Sequence, residues 1–302
     1  MIKMGELVDA DEYAHEPTKH PAWRESYYFN WVDLSVGISG FSTIGLLPNI
    51  SKREFVFALF YNDQREVYFV EPDGEVPHDF HKSLSNGVLS YKVVEPFKEW
   101  ILKYKGRNLN ANIRWTGRFP AYDFGQGSGT SWAGHFEQSG EVRGKIQLAD
   151  GEILEFSGLG ERDKSWGFRN WHIERWFALH AQFNELSIGL RLDTVDGELH
   201  PSGGISTASN HVPVIQVDLD TIYHEKQSNL PIGALTKVYG KDGSSYTLRS
   251  SLISPTSYVR FTREFEGGTT ELFEEMATHQ CDELEVHGTG LIEWLFSNPK
   301  KR

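Results

Sequence analysis

Ionisable side chains crowd one stretch of this sequence, Trp132 to His180, in a spacing that suits proton transfer. It opens with Trp132-Ala133-Gly134-His135-Phe136-Glu137-Gln138. After an Asp150-Gly151 turn it continues as Gly158-Leu159-Gly160-Glu161-Arg162-Asp163-Lys164-Ser165-Trp166-Gly167-Phe168-Arg169-Asn170-Trp171. Alternation in a barrel wall sends every second side chain inward, so His135 and Glu137 share a face, as do Glu161 and Asp163. An inward pair of ionisable groups on each of two adjacent strands, amid Trp and Phe, is unusual for a plain core. Burial in an apolar cavity disfavours the charged carboxylate and raises its pKa, which makes it a usable acid.

A structural role is the competing reading. A buried Asp163 can bind backbone N–H groups or an arginine and pin a turn between domains, while Trp166 and Trp171 plug a barrel. His135 can equally be a satisfied core histidine. An inward glutamate without a partner is costly, so Glu137 and Glu161 are each paired with an arginine, exposed at a mouth, or functional.

Other chemistries find no support. Gly125-Gln126-Gly127-Ser128-Gly129 lacks the Gly-Lys-Ser/Thr ending of a phosphate loop, and Gly158-Leu159-Gly160 lacks the third glycine of a dinucleotide fingerprint. There is no Gly-x-Ser-x-Gly elbow. His172-Ile173-Glu174 has the His-x-Glu of zinc deaminases without their paired cysteines. His78-Asp79-Phe80-His81 reads as a solvated turn, and the twelve histidines show no spacing that demands a metal.

The elements that must position these residues are strands. Val142, Gly144, Ile146 and Leu148 alternate up to Asp150-Gly151, and Leu154 and Phe156 follow on one face. Asp-Gly recurs at 73–74, 196–197 and 242–243, each time as a hairpin signal. Glu95–Lys105 admits a helix through Phe97, Trp100, Ile101 and Tyr104. It also admits a strand through Trp100, Leu102 and Tyr104, paired with Leu109, Ala111, Ile113 and Trp115. The strand reading accounts for more residues. The fold expected is all-β, with antiparallel barrels or sandwiches.

Residues 1–20 read as a flexible amino-terminal arm, followed by one domain over 21–168 and another over 169–302. The glycine-bracketed Gly158–Gly167 is the candidate junction, and His200–Asn210 reads as a long loop. Gly288–Glu293 reads as a closing strand whose Glu293 points into the second barrel.

Composition narrows the partners. The 302 residues carry 30 Lys and Arg against 42 Asp and Glu, a net charge of −12. Such a balance disfavours nucleic acid and anionic membrane surfaces. The lone Cys281 excludes an internal disulfide and any multi-thiolate metal site. No apolar stretch approaches the roughly 20 residues that span a bilayer, so no stable membrane insertion is expected and a cytoplasmic location is. Nine Trp, nineteen Phe and twelve Tyr exceed what packing usually demands and hint at an apolar cavity.

The Gly-x-Gly-x-Arg-Asp-x-Ser-Trp-Gly-x-Arg-x-Trp string over 158–171 resembles the signature of the carotenoid 1,2-hydratase-like superfamily. This group of two-domain, lipocalin-like β-barrel proteins includes kievitone hydratase, AttH-like proteins and fungal lipocalin-like Diels–Alderases. The His135-Phe136-Glu137-Gln138 segment followed by Asp163-Lys164-Ser165-Trp166-Gly167 is similar to the hydratases' His-x-Trp and Tyr-x-Asp-x-Asn-Trp-Gly elements. The glycine-rich hairpin texture of Trp31 to Asn49 is also alike. Glu137 stands where the carotenoid enzymes have Trp, and Glu161 where they have Tyr, which implies a more polar cavity and a more oxygenated or shorter ligand.

Carried over, the resemblance implies two lipocalin-like domains in tandem and a cofactor-independent lyase or isomerase acting on an apolar isoprenoid or polyunsaturated substrate. Asp163 then donates a proton to a double bond, and His135 or Glu137 positions and deprotonates water. Trp31, Trp132, Glu161, Trp166, Arg169 and Trp171 contribute to the substrate site. Aromatic faces stabilise a developing cation by about 0.5–2 kcal/mol each. The reverse reaction is a dehydration, and exclusion of water gives cyclisation. A pericyclase-like cavity and a non-catalytic binder of hydrophobic ligands remain open, as does a homodimer. No cofactor is implied.

Overall fold

Asp-Gly pairs close hairpins at three of their four positions. Asp196 and Gly197 have φ of 52° and 76°, the left-handed pair that a type I′ turn requires, while Gly151 and Gly243 sit at 94° and 89°. Asp73-Gly74 closes none: Asp73 makes an isolated bridge to Lys52 instead. The computed structural model describes residues 7–124, 132–168, 171, 173–265 and 267–299. The chain divides into two units, residues 1–169 and 170–302. Arg169 lies outside the described residues.

The first unit contains β1 (Trp23–Asp33), β2 (Ile38–Leu47), β3 (Lys52–Tyr61), β4 (Gln64–Val70) and β5 (Leu89–Glu95). It continues with β6 (Glu99–Lys105), β7 (Leu109–Gly117), β8 (Tyr122–Asp123), β9 (Gly134–Leu148) and β10 (Ile153–Phe168). They make one antiparallel sheet in the order β4-β3-β2-β1-β10-β9-β7-β6-β5, with β8 attached to β9. Period-two apolar residues of β1, β2, β3, β6 and β7 converge on one core around Phe29, Trp31, Phe57, Trp100 and Trp115. The Glu95–Lys105 segment is extended as expected: Phe97 turns the chain at φ 56°, and Trp100, Leu102 and Tyr104 of β6 are buried.

The second unit holds β11 (Arg175–Gln182), β12 (Ser187–Val195), β13 (Glu198–Ser206), β14 (His211–His224) and β15 (Gln227–Gly240). β16 (Ser245–Leu252), β17 (Tyr258–Phe265), β18 (Gly268–Cys281) and β19 (Val286–Pro299) complete it. The order is β16-β15-β14-β13-β12-β11-β19-β18-β17, and a further β16–β18 pairing closes eight of these strands into a barrel. The fold is all-β and lipocalin-like in both units. Among the described residues, no helix is long and apolar enough to cross a membrane.

Four local expectations change. Residues 9–15 are not a loose arm, because Glu12 is fully buried and accepts two hydrogen bonds from Arg162 at 2.6 and 2.8 Å. Gly158–Gly167 is no junction but the middle of β10. Its glycines allow close strand approach, since a Cβ at Gly158 would lie 1.9 Å from the Val32 carbonyl oxygen. Most of His200–Asn210 belongs to β13, where the weak strand formers Pro201, Gly203 and Gly204 are held by register with β12. Glu293 faces out of the barrel, bonded to the Trp176 indole, while its neighbours Ile292 and Trp294 point in.

Candidate functional site

Strand register assembles the ionisable cluster. Across the β9–β10 pair, His135 stands opposite Ser165, Glu137 opposite Asp163, and Ser139 opposite Glu161. All six side chains therefore share one face of the sheet. On the next strand Tyr28 is opposite Asp163 and Ser26 opposite Ser165. β8 adds Tyr122 directly opposite Glu137.

Alternation sends the intervening residues to the other face, which packs the aromatic core. There Arg162 is forked onto Glu12 and bonded to Gln138, with the rings of Phe136 and Trp115 at 5.0 and 5.2 Å from its guanidinium. Lys164 is paired with Glu25 and lies 4.6 Å from the Tyr27 ring centroid. The core-facing ionisable groups of β10 are thus two paired cations, and the carboxyls occupy the opposite face.

The carboxyl face is nonetheless withdrawn from solvent. Glu137 and Glu161 are 2% and 1% exposed, His135 is buried, and Asp163 is half-buried. Burial, then the charge of Glu137 and a hydrogen bond with it, pushes the Glu161 carboxyl well above the usual carboxylate range. Asp163 pushes the same way, and Arg118 opposes. Two carboxyls this close hold one proton more tightly than either would alone. Arg118 is anchored by two hydrogen bonds to Ser139 Oγ, at 2.9 and 3.0 Å, with its guanidinium 4.1 Å from the Phe119 ring.

Glu137 is oriented from both ends. Tyr122 donates its hydroxyl to Oε2 at 2.9 Å, and His135 Nε2 lies 3.5 Å from Oε1. The His135 ring is stacked on Phe124, centroids 4.4 Å apart, and meets Trp132 edge-on at 4.6 Å. Beside the acids, Tyr28, Phe41 and Phe60 form an aromatic row across β1, β2 and β3, centroids 6.2 and 6.5 Å apart. The arrangement supplies a carboxyl that burial holds towards its protonated form, a second carboxyl hydrogen-bonded to it and an aromatic row.

The structure brings together His135, Glu137, Glu161 and Asp163, with Trp132 against His135. It does not bring Trp31 or Trp166 to them. Trp31 is fully buried in the aromatic core, and Trp166 lies on the core face, stacked on His15 at 3.9 Å. Trp171 packs within the second unit against Trp176, centroids 5.6 Å apart. Sequence reasoning missed Tyr122, Arg118, Tyr28, Phe41 and Phe60. Tyr28 and Phe41 carry the alternation of β1 and β2 and were open to inference. Tyr122 sits in a two-residue strand that is too short for any period.

A family model described as "Domain of unknown function (DUF7064)" matches residues 8–298. The chain belongs to the DUF7064 family. No curated protein matches it. Among solved structures, this DUF7064 chain is similar to an AttH protein, NE1406, from Nitrosomonas europaea. The TM-score is 0.72 at 13% identity, over 97% of both chains. It is also similar to kievitone hydratase from Nectria haematococca, with a TM-score of 0.65 at 12% identity over 98% of this chain and 94% of the other. CghA solved with Sch210972 gives 0.62 at 9% identity over 93% and 90%. The DUF7064 chain thus shares the two-domain fold of the group that its 158–171 string resembles.

Proposed function

We propose that this protein is an acid–base lyase or isomerase for an apolar substrate, with Glu161 rather than Asp163 as proton donor. The observation that carries the reading is the buried Glu161 carboxyl, held protonated against Glu137 beside an aromatic row. In the hydration direction Glu161 gives its proton to one carbon of a double bond. The cation on the other carbon is stabilised by the faces of Tyr28 and Phe41. Water, held by Glu137, adds to the cation and loses a proton to Glu137, whose carboxylate is oriented by Tyr122 and His135. The proton then returns within the Glu137–Glu161 pair, so the cycle consumes one water and no cofactor. Dehydration runs the same steps backwards, and an isoprenoid-bearing or polyunsaturated substrate supplies the double bond. The shared fold with kievitone hydratase supports this reaction class.

The test is mass spectrometry of hydrophobic molecules extracted from the purified protein, before and after aqueous incubation, with wild type and Glu161→Gln. A mass change of one water is expected for wild type, slowed about 100- to 10,000-fold in Glu161→Gln. Undiminished turnover in a folded Glu161→Gln variant removes the proton-donor role. An unchanged formula with altered retention assigns an isomerisation, and a ligand that persists unaltered assigns a binding protein.

A further inference from the structure

The second barrel has an opening that the acid cluster does not explain. A cavity of about 360 Å³ lies at one end of it, within the roughly 300–1,000 Å³ typical of small-molecule sites. Phe177, Leu192, Val217, Leu219 and Trp294 give it an apolar side, while polar residues line the rest. Leu199 at the rim is 55% exposed, so the cup meets solvent there.

One cation stands at this cup. Arg175 is the single basic residue among the described residues that line it, and it is exposed. Its Nε donates to Thr194 Oγ1 at 3.2 Å, which fixes the guanidinium at the end of β11. Among the described residues it makes no ion pair, so the two Nη groups present an unused fork. Such a fork matches a carboxylate in bidentate geometry. Two acids line the cup: Asp218 accepts from Gln216 at 3.0 Å and Tyr239 at 2.8 Å, and Asp220 is exposed to solvent.

The depth of the barrel fixes which end of a ligand enters. Behind the Trp294 indole lies Glu275, fully buried, with apolar Phe273, Ile292 and Leu179 on the same inner surface. That floor offers an anion nothing, and an alkyl chain is covered instead by the apolar side chains of the cup above it. We propose that the mouth of the second barrel is a binding site for an amphipathic carboxylate. The hydrocarbon chain lies along Phe177, Leu192 and Trp294, and the carboxylate is held by Arg175. This site stands on its own geometry and does not rest on the reading of Glu161.

Calorimetric titration of the full chain with decanoate and with methyl decanoate tests it. Decanoate binds saturably at one site per chain, and the ester, with the same chain and no charge, binds about 10- to 100-fold more weakly. Arg175→Gln, at an exposed position, loses that same factor for decanoate and leaves the ester unchanged. Leu219→Trp fills the cup and abolishes binding of both, whereas Glu161→Gln alters neither. Absence of saturable decanoate binding to wild type overturns the proposal. So does equal binding of acid and ester, or decanoate affinity unchanged by Arg175→Gln. Should Leu219→Trp not fold, the Arg175→Gln comparison decides alone.

Discussion

Glu275 offers the sharpest physical test of the second barrel. Its side chain is fully buried on the inner surface, with no hydrogen-bond partner for either carboxyl oxygen among the described residues, and burial raises its carboxyl from an ordinary 4.5 to about 9. A carboxyl whose folded pKa exceeds its unfolded one keeps its proton better when folded. Its contribution is therefore intact below about pH 4.5 and is lost progressively as pH rises towards 9. Within that window each pH unit lowers stability by about 1.4 kcal/mol, so from pH 5 to 8 the loss is at most about 4 kcal/mol. Glu275→Gln carries no titratable proton and removes this slope, whatever fixed offset the amide introduces. The assay is urea unfolding of wild type and Glu275→Gln at pH 5, 6, 7 and 8. The variant should gain on wild type steadily with pH. His211 and His279, which burial lowers to about 4 and about 3, act in the opposite direction, but both proteins contain them and they cancel in the difference. A difference independent of pH refutes the reasoning.

Further outcomes follow from the first unit and from the barrel wall. Asp163→Asn removes a charge that helps Glu161 hold its proton, so the alkaline limb of the rate profile should move to lower pH with turnover retained. Loss of activity at every pH would instead return the donor role to Asp163. Arg162→Met strands the buried Glu12 carboxylate and should cost about 3–5 kcal/mol by chemical denaturation, most of it recovered in the Glu12→Gln/Arg162→Met double variant. Gly290→Ala should cost more than about 2 kcal/mol, because its φ is 157° and the new Cβ would lie 1.7 Å from the His180 carbonyl oxygen. Gly37→Ala, at φ 65° with nothing near the Cβ position, should cost only about 1–2 kcal/mol in the same melt.

Much of the architecture could be read from local chemistry, because hairpins are short-range events. Asp150-Gly151, Asp196-Gly197 and Asp242-Gly243 announce turns through residues that tolerate positive φ, and Trp100, Leu102 and Tyr104 announce a face. The pairing of His135 with Glu137 and of Glu161 with Asp163 was legible for the same reason. Which face looked at the core was not. Alternation has two phases, and only tertiary register showed that Arg162, Lys164 and Trp166 take the core side. The expectation put Glu161 and Asp163 inward, yet Arg162 and Lys164 take that side because Glu12 and Glu25 neutralise them from distant segments. Those partners also explain why the polar amino-terminal stretch is held rather than loose. Tyr122 and Arg118 could not be found beforehand, since they approach Glu137 and Glu161 through a connection with no periodic pattern.

In both units the earliest long strand is hydrogen-bonded to the latest: Trp23 of β1 pairs with Phe168 of β10, and Arg175 of β11 with Phe296 of β19. During synthesis neither half can zip shut until its terminal ribbon has left the ribosome. Until then β1, and later β11, waits with an unclaimed ladder of amide donors and carbonyl acceptors. The order of assembly is thus written into the topology, each half completed only by its last strand.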